Sequence, residues 1–357
     1  IIRYSEVVNK ECQMCRRPYV IFQVCMLSLS ALIVPVAYIA MPKSPQASET
    51  ISLVVFFAAF SGLLMSAFMK VMFFSKNFEM ANDAISKLES LFDEMDKNKL
   101  AHGDVSDMTS HDIDFSGVTF RYEEGVDVLT DFSLKLESGK KYALVGSSGS
   151  GKSTIAKLIS GFYPVSSGEL KIGGVDISKY KRETLEHEIA FVFQNAKLFK
   201  TSIYENVKIG RPDASREEVI KALDLAMCGS ILDKFETRED TIIGAKGVHL
   251  SGGETQRIAI ARAILKDAPI IILDEASAAS DPENEYEMQQ AFSKLMEGKT
   301  VIMIAHRLSS IRNVDEILVV EDGKVTERGS HDELIVKDSK YKKLQNLYNQ
   351  ANEWRLS

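Results

Sequence analysis

The sequence predicts an α/β domain that is preceded by a hairpin of two membrane-spanning helices. Three observations indicate this arrangement: two long apolar runs early in the chain, a glycine-rich loop between a strand and a helix, and a β-branched run that ends in two acids. The 357 residues are enough for more than one domain. The hydrophobic content of 45% is an average of two unlike parts.

The two apolar runs cover residues 19–40 and 51–74. Each has about the 20 residues that cross the hydrocarbon core of a bilayer. Four basic residues precede the first run, and Lys70, Lys76 and Lys87 end or follow the second, whereas the short polar turn between the runs carries only Lys43. The positive-inside rule therefore predicts that both ends of the hairpin lie in the cytoplasm. Two buried helices of a water-soluble protein are the alternative interpretation.

The remaining boundaries follow from periodicity and composition. Beyond residue 74, apolar residues continue at three- and four-residue spacing to Met95, which is typical of a helix that packs on other helices. We therefore predict a partial transmembrane domain at 1–95, with cytoplasmic helical extensions, and a linker in the polar stretch 96–112. Residues 113–357 form the α/β domain with a C-terminal helix, which a capping box opens at Ser330.

Two further features concern the start of the chain. Cys12 and Cys15 form a single C-x-x-C pair with no second pair at zinc-ligand spacing. We interpret them as incidental thiols, with a metal or redox pair as the alternative. The chain begins at Ile1 and has no signal-peptide layout, so we expect it to be a piece of a longer protein.

The glycine-rich loop GSSGSGKST, residues 146–154, follows the predicted strand KYALV. Its glycines allow backbone N–H groups to point inward at a helix N-terminus, where the dipole favours anions. Lys152 supplies a charge for the β- and γ-phosphates of a nucleotide, Ser153 is placed to ligate Mg²⁺, and Thr154 donates to phosphate. The residues assigned to nucleotide binding in this loop are Gly146, Ser147, Gly149, Ser150, Gly151, Lys152, Ser153 and Thr154.

The run IIILDE, residues 270–275, has the composition of a buried parallel strand. It ends in Asp274 and Glu275. Asp274 is expected to hold Mg²⁺ through water, because a carboxylate at the C-terminal end of a strand is a usual ligand position. Glu275 is expected to orient and deprotonate the attacking water. A solvated surface acid is the alternative interpretation of Glu275.

A third motif, LSGGETQR at residues 250–257, completes a resemblance. The three motifs in this order resemble the ATP-binding cassette (ABC) transporters with the exporter-type fold. The similarity covers about residues 113–347 by motif, and the membrane part by layout only. It implies a P-loop NTPase of ABC type, with a RecA-like core, an antiparallel β subdomain and a helical subdomain, that hydrolyses ATP to drive transport.

The resemblance also assigns roles to four residues outside the loop. Tyr122 corresponds to the aromatic residue that stacks on adenine. Gln194 corresponds to the Q-loop glutamine, which contacts Mg²⁺ and water and senses the membrane domain. His306 corresponds to the switch histidine, which contacts the γ-phosphate and holds the general base. Asp281 corresponds to the D-loop acid that communicates across a dimer.

In this family the LSGGE motif implies a composite site. Ser251, Gly252 and Gly253 would reach the γ-phosphate of ATP held by the loop of a second subunit, in a homodimer or a heterodimer. Glu254 stands where the family most often has Gln. The other expected partners are the lipid bilayer and a transported molecule. The chain is expected to span the plasma (inner) membrane more than once, with its ATP-binding domain in the cytoplasm.

The cargo and direction stay open at this stage. The resemblance favours export of a lipid, drug or peptide. The alternatives are an exporter-fold importer of a siderophore or metal chelate, and an ABC ATPase without a transport function. The net charge of -7 argues against a nucleic-acid partner.

Overall fold

The computed structural model describes positions 35 and 39 and residues 47–97, 100–123, 125–244, 247–274, 282–305, 311 and 313–347. The chain divides into two compact units, Ile1–Met95 and Asp96–Ser357. Apart from two positions, the first predicted membrane helix at 19–40 lies outside the described residues, and so do Cys12 and Cys15.

Helix α1 (Ala47–Lys97) accounts for most of what is described in the first unit. Its 51 residues make a rod of about 75 Å at the usual rise per residue. Large apolar side chains are exposed along its whole length, among them Phe56, Leu63, Phe78 and Phe92. Among the described residues, no helix combines the length and the hydropathy that a membrane span needs.

The second unit contains an antiparallel sheet of four strands in the order β2-β1-β4-β5. Phe115, Val118 and Phe120 of β1 face the core, and the alternation of buried and outward residues shifts by one at an irregularity in the pairing between Phe115 and Val118. Phe115 packs edge-on against Phe132 of the paired strand, with 5.3 Å between ring centroids. The strands of this sheet are β1 (Ile113–Arg121), β2 (Asp127–Leu136), β4 (Ser167–Ile172) and β5 (Val175–Asp176).

A second sheet of six strands has the order β10-β9-β3-β8-β7-β6, and only β10 runs antiparallel to its neighbour. Its central strands are continuous apolar runs because helices or strands cover both faces. The strands are β3 (Lys141–Val145), β6 (Ile189–Val192), β7 (Ile270–Asp274), β8 (Thr300–Ile304), β9 (Glu316–Glu321) and β10 (Lys324–Gly329).

Three of the described helices begin at capping boxes. Ser215, Ser251 and Ser330 each accept a hydrogen bond from the backbone of a glutamate three residues later, and that glutamate bonds back, which makes three capping boxes. The capping box expected at Ser330 is therefore present. The helices are α2 (Lys152–Ile159), α3 (Arg182–Glu188), α4 (Ile203–Lys208), α5 (Arg216–Leu225), α6 (Gly229–Leu232), α7 (Gly252–Lys266), α8 (Pro282–Leu295), α9 (His331–Val336) and residues 340–347, with 3₁₀ turns at Ile177–Lys179 and Arg238–Asp240.

Two apolar cores lie on opposite faces of the six-stranded sheet, because successive residues of a strand point to opposite sides. Tyr142 and Leu144 of β3 belong to the core shared with α2 and the four-stranded sheet. Ala143 and Val145 belong to the core shared with α4 to α8. The predicted α/β domain, with a parallel core and a separate antiparallel sheet, is confirmed.

The polar stretch predicted as a linker packs on this unit from residue 100 onward. Leu100 is buried in the core that includes the four-stranded sheet. Val105 forms a bridge with Tyr180, in which the Val105 N–H donates to Lys179 O at 3.0 Å and the Lys181 N–H donates to Val105 O at 2.9 Å. This stretch therefore adds backbone hydrogen bonds and apolar contacts to the domain that follows it.

Candidate functional site

The phosphate loop, Gln194 and Asp274 lie at one edge of the six-stranded sheet. The carboxyl ends of its parallel strands meet there, and ligands of open α/β sheets bind at such an edge. Strand β3 leads into the loop that starts at Gly146, β6 leads to Gln194, and β7 ends at Asp274. Ile304 of β8 pairs with Leu144 on one side and with Asp274 on the other, so Asp274 is level with the end of β3, about 10 Å away across two strand spacings.

The glycine-rich loop turns in a way that only glycine allows at its first position. Gly146 has φ 147°, and a Cβ there would lie 2.1 Å from the carbonyl oxygen of Val320 on β9. The chain then curves over Ser147 and Ser150, whose backbones are joined by a 3.3 Å hydrogen bond, and enters α2 after Gly151. The loop and the first turn of α2 therefore form a backbone cradle of the kind that binds phosphate.

Lys152 lies inside this loop, with only 6% of its surface exposed. Its ammonium donates to Gly146 O at 2.9 Å, Ser147 O at 2.6 Å and Ser150 Oγ at 3.2 Å. Burial lowers the pKa of Lys152, and the nearby charge of Asp274 opposes that shift without cancelling it. A cation held in the curve of a glycine-rich loop fits a phosphate group, so the residues present suit ATP.

Tyr122 contacts the first turns of α2. Its hydroxyl is 3.2 Å from Thr154 Oγ1, and Lys157 Nζ lies over its ring, 5.5 Å from the centroid. Phe120 and Tyr163 meet the ring edge-on, with centroids 4.9 Å and 5.3 Å away. Tyr122 as a whole is 43% exposed beside the phosphate loop, a position suited to stacking on a base.

The oxygen-bearing residues proposed for Mg²⁺ lie at the same edge. Ser153 is half-buried in the first turn of α2, Asp274 is half-buried at the end of β7, and Gln194 is exposed two residues after β6. Hydroxyl, carboxylate and amide oxygens are the ligands that Mg²⁺ prefers. Three predicted site residues, Glu275, Asp281 and His306, lie outside the described residues.

The LSGGE residues stand at the N-terminus of α7. Ser251 is its exposed N-cap, and its hydroxyl accepts from the Glu254 N–H at 3.2 Å. Gly252 is exposed and Gly253 half-buried, and a Cβ on either would meet no atom within 4 Å. Within the described part of the chain, no hydrogen bond joins these residues to the loop at 146–154. The structure therefore groups the loop, Tyr122 and Asp274, and within the described residues it links none of them to the LSGGE residues by a hydrogen bond.

Some residues around the site were missed from the sequence. Lys157 could have been found, because a residue three positions after Thr154 lies on the same helix face. Tyr163 and the pair formed by Lys234 and Glu254 carried no sequence signal, since their partners are tens of residues away.

Comparison with known proteins agrees with this geometry. A family model described as ABC transporter matches residues 129–278. An ATP-dependent lipid A-core flippase of Pasteurella multocida is 47% identical over 237 residues, and one of Vibrio vulnificus is 46% identical over 238 residues. A putative multidrug export ATP-binding/permease protein of Bacillus subtilis is 44% identical over 238 residues.

Each of these matches covers 66% of the chain and 41% of the relative. The chain thus spans about two fifths of the length of the curated relatives that it matches. Both the motifs and the fold of the second unit agree with the matching family model. The α/β part of this chain is therefore the ATPase domain of an ABC transporter, similar to the ATP-binding domains of exporters.

Proposed function

We propose that this chain is a subunit of a transporter that uses ATP to move a lipid, drug or peptide out across the plasma (inner) membrane. The observation that carries the proposal is the phosphate loop, in which Lys152 is buried against three loop oxygens beside the aromatic ring of Tyr122. Relatives at 44–47% identity that are named as lipid flippases and a multidrug exporter support the cargo class.

The chain's own residues divide the work of hydrolysis. Tyr122 stacks on the base, and the loop N–H groups with Lys152 and Thr154 hold the phosphates. Glu275, which follows β7 directly in sequence, takes the proton from the attacking water. His306 contacts the γ-phosphate and orients Glu275. When bound through Ser153, Gln194 and Asp274, Mg²⁺ would neutralise the charge on the phosphate oxygens.

The LSGGE residues act on a second copy in this proposal. Ser251, Gly252 and Gly253 present a hydroxyl and free N–H groups at the positive end of α7. We infer that two such domains pair head to tail, with ATP between the loop of one and the LSGGE of the other, and with Asp281 at the contact. One chain carries both halves, so a homodimer suffices, and a heterodimer is equally compatible.

The first unit is the membrane part of the proposal. The run 51–74 contains a single charged residue, Lys70, and lies within α1, whose large apolar side chains are exposed. We propose that this run and 19–40 span the membrane as a hairpin, that α1 continues into the cytoplasm, and that the ATPase domain lies on the cytoplasmic side. Further helices of the transporter would complete the path for the cargo.

Glu275→Gln in the full chain tests this function. The amide keeps the shape of the side chain but accepts no proton, so hydrolysis should fall by about 10²- to 10⁴-fold while the affinity for ATP is kept. Both are measured with purified protein in lipid nanodiscs, by phosphate release and by binding of a fluorescent ATP analogue. Glu169→Gln, an exposed acid on β4, is the control. Near-normal hydrolysis by Glu275→Gln would contradict the proposed mechanism.

A further inference from the structure

A buried carboxylate lies at the N-terminus of α7. Glu254 is the third residue of the helix, and only 7% of its surface is exposed. One of its oxygens accepts from the Ser251 N–H at 2.7 Å, and the Ser251 hydroxyl accepts in return from the Glu254 N–H at 3.2 Å. The carboxylate is therefore one hydrogen bond away from the first of the residues that, in the proposed function, contact the γ-phosphate.

This position creates an electrostatic conflict. A carboxylate in the first turn of a helix is favourable by itself, because it complements the helix dipole. In the proposed function, however, the same N-terminus has to attract the phosphates of ATP. Two anions that share one helix end repel each other, and the repulsion is stronger near a half-buried surface than in bulk water. An uncompensated Glu254 would therefore weaken ATP binding.

Lys234 supplies the compensating charge. It lies two residues after α6, and its ammonium forms a salt bridge with the second oxygen of Glu254. The Lys234 side chain is 57% exposed and that of Glu254 only 10%, so the cation covers the carboxylate on its solvent side. Burial alone would raise the pKa of Glu254, but the hydrogen bonds from Lys234 and Ser251 outweigh it and hold that pKa below its ordinary value.

The nearest cation on the same helix is committed elsewhere. Arg257, three residues further along α7, is fully buried in a salt bridge with Glu287 and in hydrogen bonds to Asn284 and to the Met227 carbonyl. It cannot turn toward Glu254 without breaking that network. Among the described residues, Lys234 is the cation that forms a salt bridge with Glu254.

We propose that Lys234 is a positioning residue for ATP hydrolysis. By pairing with Glu254, it neutralises the carboxylate beside the phosphate-contacting end of α7 and holds that end ready for the ATP of a second subunit. This inference rests on the proposed function, because it requires that Ser251, Gly252 and Gly253 meet phosphate.

Lys234→Met tests the role of the charge, since it keeps the length of the side chain and removes the cation. With Glu254 unneutralised, we expect the KM for ATP to rise about tenfold, which corresponds to about 1.4 kcal/mol, and kcat to change less than about twofold. The rise should shrink at high salt, because the repulsion is screened. Lys234→Arg should restore the KM.

The second variant separates charge from structure. In Lys234→Met with Glu254→Gln, the carboxylate is absent and no longer needs a partner, so the KM should return to that of Glu254→Gln alone. A purely structural role of Lys234 would instead lower the melting temperature and leave the KM defect unrescued. If Lys234→Met alone does not fold, comparing the KM of the double variant with that of Glu254→Gln still tests the role of the Lys234 charge. Lys171→Met, which removes an exposed ion pair with Glu169 on β4, is the control and should keep its KM.

The outcomes distinguish the two proposals. If the unmodified chain hydrolyses no ATP, the proposed function fails and this inference fails with it. If the unmodified chain is active but Lys234→Met has an unchanged KM, only the role of Lys234 is overturned. The same holds if the double variant is as impaired as the single one.

Discussion

The turn from β3 into the phosphate loop provides a quantitative test of the site geometry. In Gly146→Ala, the added methyl group would lie 2.1 Å from Val320 O and 3.1 Å from Ser150 Oγ. The first contact would have to lengthen by more than 1 Å, and the atom that would have to move is a backbone oxygen. Because β9 is paired with a strand on each side, its backbone is held in place. A φ of 147° adds strain for any residue with a side chain.

The cost can be estimated from these two terms. Backbone strain of this kind costs about 1–3 kcal/mol, and overpacking costs a further 1–3 kcal/mol or so, which gives about 4 kcal/mol for Gly146→Ala. Gly149→Ala is the matched control in the same loop. Gly149 also has a positive φ, 82°, but a Cβ there meets no atom within 4 Å. Only the strain applies, at about 1–2 kcal/mol.

Differential scanning calorimetry of the full chain measures the difference. For a domain of this size, about 4 kcal/mol lowers the melting temperature by roughly 10 °C, and the control should lose only about 3 °C. Both values are read for the transition of the ATPase domain without nucleotide, so that lost ligand binding does not contribute. Equal shifts in the two variants would refute the close approach of Gly146 to β9.

Two further predictions concern the helical part of the second unit. Arg257→Met removes the buried cation that pairs with Glu287. We expect urea unfolding to show that the free energy of unfolding falls by about 3 kcal/mol, the low end for breaking a buried pair, because Glu287 is partly exposed. A loss below about 1 kcal/mol would show that the network does not stabilise the fold. Burial raises the pKa of the Cys228 thiol to about 12. Iodoacetamide at about pH 8 should therefore label Cys228 only after unfolding, which peptide mass spectrometry measures. Rapid labelling of Cys228 in the native protein would contradict its burial.

Local motifs made the phosphate loop predictable. The glycines, Lys152 and the preceding strand are adjacent in sequence, and the conformation of such a loop depends mainly on its own residues. The end of β7 at Asp274 could be predicted for the same reason, because a run of β-branched residues followed by acids marks a buried strand and its end.

Contacts between distant residues could not be predicted in this way. Tyr122 and Thr154 are 32 positions apart, and their contact depends on how the four-stranded sheet packs beside α2. Leu100 lies in a polar stretch, so composition indicated a linker, yet tertiary packing buries its side chain. Lys234 and Glu254 are joined only because the fold brings the turn after α6 beside the start of α7, which no local pattern encodes.

The composite ATP site is tested most directly by mixing two inactive variants. Lys152→Ala disables the phosphate loop, and Gly252→Asp places a carboxylate at the N-terminus of α7, where open space lets the variant fold. If chains pair at random, half of the pairs are mixed and each mixed pair has one intact site, so phosphate release should recover to about a quarter of the unmodified rate. A mixture no more active than either variant alone would contradict a site shared between two copies.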